Sequence, residues 1–229
     1  ALILGASVFM AGQVWAAKYV TDPTTGKVVT APQYGGTITI RIKSMPENTD
    51  QMALGRWAAE YLNGVLEKPA IGNWGISRDQ CEGLTIPWAP PQCLTGALAE
   101  SWEMPDDKTV IFHIRQGVHW HDKSPMDGRE FTADDMAFNF HRITGTGSGF
   151  TEPSGHTTHL NAIPLKFESI QATDRYTVVF KLKEPNVNTL HAIVDDETAY
   201  IYPPEVIRKY GDATNWRNLV GTGPFMLTQ

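Results

Sequence analysis

Hydrophobic and polar residues alternate with a period of two in three stretches, which is the pattern of strands with one buried face. In GTITIRIK (36–43) isoleucines alternate with Thr, Arg and Lys. Residues 97–120 predict a β-hairpin around Pro105-Asp106-Asp107, and residues 165–185 predict a second hairpin around Thr173-Asp174-Arg175, because both turns have the chemistry that reverses a chain.

Apolar residues recur at helical spacing in four other stretches. They are 55–67, 131–143, 188–196 and 203–211. The second has the clearest start, because Thr132 can cap it and Asp135 stands three residues later. Strands and helices alternate irregularly, so the predicted class is α/β or α+β with mixed sheets.

Composition narrows the class of protein. The chain has 229 residues, of which 41% are hydrophobic and 19% charged, as in a globular protein with a real core. Its formal net charge is −6 and its sequence has no Lys/Arg cluster, which argues against nucleic acid as a partner.

Residues 1–17 are apolar and free of charge. Val14 and Ala16 precede Ala17 as small residues precede a secretory cleavage site, so we interpret the stretch as the remnant of a signal peptide. A buried or anchoring helix is the alternative. Residues 18–35 then predict an extended leader with turns, and the mature protein would start near Ala17 or Lys18 and be exported.

Cys81 and Cys93 flank a segment rich in Pro and Gly. In an exported protein this spacing predicts a disulfide that closes the loop, and two free buried thiols are the alternative.

Two short motifs could carry chemistry. His119, His121 and Asp122 could reach one metal ion, but a catalytic zinc site usually has a longer spacer between its ligands. The simpler interpretation is hydrogen bonding at a strand end with Trp120 inside; His156 and His159 are weaker ligand candidates. The other motif is Gly221-Thr222-Gly223, followed by Pro224, which suits either a hinge or a tight turn.

Four motifs in fixed order resemble the extracellular solute-binding proteins of family 5, the peptide-type components of ABC importers. They are ALAESWEMPDDKTVIFHIRQGVHWHD, GREFTADDMAFNFHRI, DRYTVVFKLKEP and VGTGPF. YGGTITI is similar to the first strand of that family, so the resemblance covers roughly residues 35–229.

The resemblance implies a fold like the type II periplasmic binding proteins, in which two lobes close on a ligand. It implies that 36–45 and 150–229 form the main subdomain of the first lobe, that 46–149 form an extra subdomain, and that the second lobe is absent from this chain. Gly221, Thr222 and Gly223 would lie at the hinge, where the chain crosses to the second lobe.

The ligand-binding candidates are the loop after the first strand and two tryptophans: Ser44, Met45, Pro46, Glu47, Asn48, Trp74 and Trp88. The resemblance implies a monomeric, non-enzymatic, periplasmic protein without a cofactor or metal, which delivers a solute to a membrane permease. A peptide is the expected solute, with nickel chelates and oligosaccharides as alternatives. Two other hypotheses are a metal-dependent enzyme that uses His119, His121 and Asp122, and a receptor-like signalling module.

Overall fold

The computed structural model describes residues 18–22, 26–31, 48–50, 52, 62–77, 79–81, 90–154, 166–194 and 199–228. The predicted signal remnant, the strand at 36–43, most of the helix at 55–67, and His156 and His159 lie outside these residues. The chain divides into two compact units, residues 1–43 and residues 44–229.

The first unit contains a short antiparallel hairpin within the predicted leader. Strand β1 (Tyr19–Thr21) pairs with β2 (Val28–Thr30), and all of their residues are exposed. The Asp22 N–H donates to the Lys27 carbonyl across 2.8 Å, and Gly26 adopts a φ of 67° that closes the turn.

The second unit is built on a four-stranded antiparallel sheet with the order β5-β6-β8-β7. Its strands are β5 (Ala99–Asp106), β6 (Thr109–Ile114), β7 (Phe167–Asp174) and β8 (Thr177–Leu182). The two hairpins confirm the predicted pair. Each turn is fixed by an aspartate that accepts a backbone N–H two residues on: Asp106 from Lys108 and Asp174 from Tyr176, both at 2.8 Å.

The pairing of β6 with β8 joins segments on either side of the predicted subdomain boundary, and the division into subdomains stays a prediction. The strands come from segments that the sequence analysis assigned to separate subdomains, 46–149 and 150–229, yet they are neighbours in one sheet. The boundary was placed at the Gly/Ser-rich stretch after residue 144, which follows a helix without interrupting the sheet.

Helix α1 (Ala133–Thr144) covers one face of this sheet. It starts at the predicted cap, where the Thr132 N–H donates to Asp135 across 3.0 Å, and ends at Gly145 with a φ of 68°. Phe140 on the helix meets Phe180 of β8 edge to face, with ring centroids 5.1 Å apart. Phe112, Phe140 and Phe180 are fully buried, so this contact lies at the centre of the core.

Two shorter helices follow the sheet: α2 (Thr189–Val194) and α3 (Pro204–Tyr210). Both lie within predicted helices. Pro204 occupies the first turn of α3, where its missing N–H has no helical partner to lose.

A small ribbon pairs β3 (Ala70–Gly72) with β4 (Leu94–Gly96). A 3₁₀ turn at Pro91–Cys93 leads into β4. Cys81 and Cys93 form a disulfide with their Cα atoms 5.9 Å apart, which confirms the predicted bridge.

We expect replacement of both cysteines by serine to lower the free energy of unfolding by about 3 kcal/mol, the loop-closure entropy of a loop of this size. Urea unfolding of both proteins with and without dithiothreitol would measure it. The reductant should destabilise the wild-type protein and leave the double variant unchanged. Equal unfolding midpoints for oxidised wild-type and variant proteins would contradict the expectation.

Candidate functional site

Asn48 is the one residue of the predicted ligand-binding loop 44–48 that lies within the described residues. Its side-chain oxygen accepts the N–H of Asp50 at 2.9 Å. This bond joins the end of the predicted loop to the backbone of Asp50, a residue with no exposed surface.

Asp50 is the centre of a buried hydrogen-bond network, which we call the anchor, and it follows the predicted loop in sequence. Its carboxylate accepts the guanidinium of Arg142, from α1, at 2.5 Å, the N–H of Ala213 at 2.9 Å and the N–H of Met52 at 3.0 Å. Arg142 is 8% exposed, so both charges are withdrawn from water. A buried ion pair is tolerable when further hydrogen bonds satisfy its remaining atoms, and the two backbone donors do so here.

Thr49 adds neutral hydrogen bonds to the same anchor. Its hydroxyl donates to the Ala213 carbonyl at 2.6 Å, and its own carbonyl accepts the hydroxyl of Tyr202 at 3.1 Å. Thr49 and Asp50 are therefore fixed to α1 and to the segments on both sides of α3.

Residues 219–227, named here the crossover segment, contain the predicted hinge. The N–H groups of Gly223 and Phe225 donate to the carbonyls of Val65 and Gly64 at 2.9 and 2.8 Å. A Cβ on Gly221 would overlap the Val65 carbonyl oxygen, and one on Gly223 would lie 2.7 Å from the Gly64 carbonyl oxygen. Both positions therefore require glycine for close backbone approach.

The loop 117–131 lies against the other side of the crossover segment. The His121 ring contacts Gly221 and Gly223, with Nε2 2.7 Å from the Gly223 carbonyl oxygen. The Lys123 ammonium donates to the carbonyls of Leu219 and Leu227 at 3.0 and 3.2 Å. Burial lowers the pKa of Lys123 from its ordinary value. Two side chains of this loop thus hold the predicted hinge in place.

These contacts do not support the metal-site hypothesis. His119 Nδ1 lies 2.8 Å from the Gly128 carbonyl oxygen, while His121 contacts the crossover segment. Trp120 is buried and donates its indole N–H to Asp135 at 3.2 Å, as the simpler interpretation expected. Within the described parts of the chain, no three His, Cys, Asp or Glu side chains come close enough to hold a metal ion.

A second charged network joins the loop 117–131 to α1 and α3. The Arg129 guanidinium donates to Asp135 of α1 at 2.6 and 2.8 Å and to Glu205 of α3 at 2.8 Å through two nitrogens. Burial opposes the charge on Arg129, but hydrogen bonds and Coulombic attraction from the two carboxylates outweigh it and raise its pKa. An open cavity of about 620 Å³ lies beside this network.

The other predicted site residues are less informative. Trp74 lies in a turn after β3 and is 73% exposed, so it is available to a ligand and does not pack in the core. Trp88 and residues 44–47 lie outside the described residues. The assignment of these residues to a ligand site stays a prediction.

Sequence reasoning missed Asp50, Arg142 and Lys123. Arg142 carried no local signal of burial, because helical spacing places it away from the apolar stripe of Met136, Phe140 and Ile143. Its partner Asp50 is 92 residues away in sequence, so no local pattern could identify the pair.

The family described as bacterial extracellular solute-binding proteins, family 5, middle region, matches residues 94–229, and the chain belongs to that family. This confirms the family that the four sequence motifs indicated.

Individual proteins give the same result. The dipeptide-binding protein of Escherichia coli is 32% identical over 145 residues, which are 58% of this chain and 26% of that protein. Heme-binding protein A of Haemophilus influenzae is 31% identical over 138 residues, covering 57% and 25%. The chain thus aligns with about a quarter of the length of these relatives.

Solved structures show the same fold. The periplasmic binding protein DppA of Helicobacter pylori, in complex with the peptide STSA, superposes with a TM-score of 0.57 at 20% identity, covering 81% of this chain and 35% of that one. This confirms the predicted class, a mixed α/β fold of the periplasmic-binding-protein type. None of the helices in the described residues has the length and apolar character needed to cross a membrane.

We expect Asp50→Asn to lower the free energy of unfolding by about 3 to 5 kcal/mol, because it leaves the Arg142 charge buried without its counter-ion. Urea unfolding measures the effect. Glu184→Gln is the matched control: its exposed pair with Lys166 spans 3.9 Å, and its loss should cost less than about 1 kcal/mol. Similar losses in both variants would show that Arg142 does not depend on Asp50.

Glu130 makes stability depend on pH. The carboxylate accepts hydrogen bonds from Arg175 at 2.7 Å, the Gly117 N–H at 2.9 Å and Tyr176 at 3.0 Å. These contacts, with Arg175 the largest, lower its pKa from 4.5 to about 2. Because the folded-state pKa is depressed, the contribution is complete above pH 4.5 and is lost as the pH falls toward about 2.

The corresponding variant is Glu130→Gln. Its urea midpoint should lie below that of the wild-type protein at pH 7, and the gap should narrow as the pH is lowered from 4.5 toward 2, because protonation removes the same charge from the wild-type protein. Glu168→Gln, at an exposed position of β7, should show no such narrowing. A gap for Glu130→Gln that is constant with pH would contradict this assignment.

Proposed function

We propose that this chain is part of the extracytoplasmic solute-binding component of an ABC importer, and that its solute is a peptide. The observation that carries the proposal is membership of solute-binding family 5 over residues 94–229. The E. coli relative named as a dipeptide-binding protein and the H. pylori structure in complex with STSA support peptide as the solute class. A protein with this role is a carrier with no reaction to catalyse.

The mechanism is closure of two lobes on the solute. In this scheme the chain supplies part of the first lobe, since it aligns with about a quarter of the length of the relatives it matches. Solute that touches both lobes favours the closed state by its differential affinity, and the closed state docks on the membrane permease. The protein acts as a monomer in this scheme.

The loop 44–48 lines the cleft on the first lobe. The buried Asp50–Arg142 pair supports this assignment, because a rigid base costs less ordering on binding than a mobile loop. An extended peptide can pair with the loop backbone as an added strand does, and Trp74 and Trp88 are further candidates for contact with its side chains. The crossover segment is the proposed hinge, and its two glycines support this because they permit a close backbone approach that a larger residue would block.

The test uses the protein expressed from its complete gene, unfolded and refolded to remove any carried ligand. A library of di- to pentapeptides, heme and a set of oligosaccharides are each screened by thermal shift and then by calorimetry. At a concentration 100 times its Kd, a specific peptide should stabilise the protein by about 2.7 kcal/mol. Stabilisation by heme or a sugar and by no peptide would reject the peptide assignment.

A further inference from the structure

We propose that His121 is a positioning residue for the crossover segment, which it holds through one neutral tautomer and releases when the ring is protonated. The crossover segment consists of residues 219–227, and its role as a hinge rests on the function proposed above. The contact between His121 and the segment is a feature of the structure by itself.

Three hydrogen bonds join His121 to the crossover segment. Its backbone N–H donates to the Gly221 carbonyl at 2.8 Å, and the Gly221 N–H donates back to ring atom Nδ1 at 3.2 Å. Ring atom Nε2 lies 2.7 Å from the Gly223 carbonyl oxygen. Because Nδ1 accepts and a carbonyl can only accept, Nε2 must carry the hydrogen. A single tautomer, neutral with its hydrogen on Nε2, satisfies all three bonds.

Protonation removes one of these bonds. An imidazolium carries hydrogens on both nitrogens and has no acceptor, so the Gly221 N–H would face a ring N–H. The amide cannot turn aside freely, because Gly221 packs against the Val65 carbonyl and Gly223 donates to that same carbonyl at 2.9 Å. Protonation therefore works against the close packing that the two glycines permit.

The crossover segment, LVGTGPFML, contains no titratable residue, and neither does the stretch LNGVL at 62–66 against which it packs; Glu67 follows that stretch. The loop 117–131 itself also carries His119, Asp122, Lys123, Asp127, Arg129 and Glu130. Lys123 opposes a second positive charge beside the same segment, whereas Asp122 favours one.

The sign of the pH dependence follows from proton counting. The held arrangement binds one proton fewer than the released arrangement, so it is favoured at higher pH and weakened as the pH falls. Histidine is the side chain that ordinarily changes charge between pH 5 and 8. The held crossover segment should therefore loosen as the pH falls.

The experiment needs no solute. Amide hydrogen exchange across residues 219–227 is measured in the protein expressed from its complete gene, at pH 7.5 and 5.5, with rates corrected for the intrinsic effect of pH. One linked proton can change protection by up to about tenfold per pH unit. We expect wild-type protection to fall toward pH 5.5, and that of His121→Gln, which cannot titrate, to be independent of pH.

His119→Gln is the matched control, since its ring bonds to Gly128 of its own loop, and it should follow the wild-type protein. Nitrogen NMR of labelled histidine in the wild-type protein provides a measurement that needs no variant: one ring should show an accepting Nδ1 and a protonated Nε2 at pH 7.5, and its signal should be missing from His121→Gln. Wild-type protection that does not change with pH, or a His121 ring protonated on Nδ1 at pH 7.5, would overturn the proposal.

The experiments distinguish failure of the proposed carrier function from failure of the proposed role of His121. Loss of protection at low pH in a protein that binds no peptide, heme or sugar would leave the positioning role intact and reject the carrier function. A peptide carrier with unchanged protection would reject the role of His121 alone.

Discussion

Strands β6 and β8 pair antiparallel at the centre of the sheet, and the rest of the second unit is organised around that pair. Their inward side chains, among them Phe112 and Phe180, form the surface on which Phe140 of α1 packs. This packing fixes the helix against the sheet. The helix in turn carries Arg142 and Asp135, the two charged groups that reach into the flanking segments. The position of both networks is thus set by aromatic packing in the core.

Each of the two networks, one around Asp50 and one around Arg129, connects a distant segment to α1 through a charged group that is partly or fully withdrawn from water. Arg142 binds Asp50 below the predicted ligand loop, and Asp135 binds Arg129 below the loop that holds the crossover segment. Removal of either partner would leave a charge without its counter-ion, which is costly. The helix therefore couples two candidate functional regions to the same rigid element.

Local signals were enough to predict the two hairpins, the capped helix and the disulfide. Turn aspartates, a period of two and the Thr132–Asp135 cap all act within a few residues, and the structure reproduces them. The β6–β8 pairing, the Asp50–Arg142 pair and the contact of His121 with Gly221 join residues that are far apart in sequence, so no periodicity could identify them. The division into subdomains stays a prediction: a Gly/Ser-rich stretch marks a loop, whereas strand pairing such as β6–β8 decides which elements share a sheet.

The loop 117–131 contains two histidines, a tryptophan and several carboxylates, and it illustrates how residues capable of chemistry can instead have a structural role. Trp120 enters the core, His119 closes its own loop, and His121 and Lys123 turn toward the crossover segment. That segment is held by backbone and side-chain bonds on one side and by glycine packing on the other, so its position is determined by contacts that are individually weak. This property would suit a hinge, because a solute can shift a conformational equilibrium only by its differential affinity for the two states. Buried ion pairs adjoin the candidate loops, whereas neutral hydrogen bonds together with one lysine hold the predicted hinge.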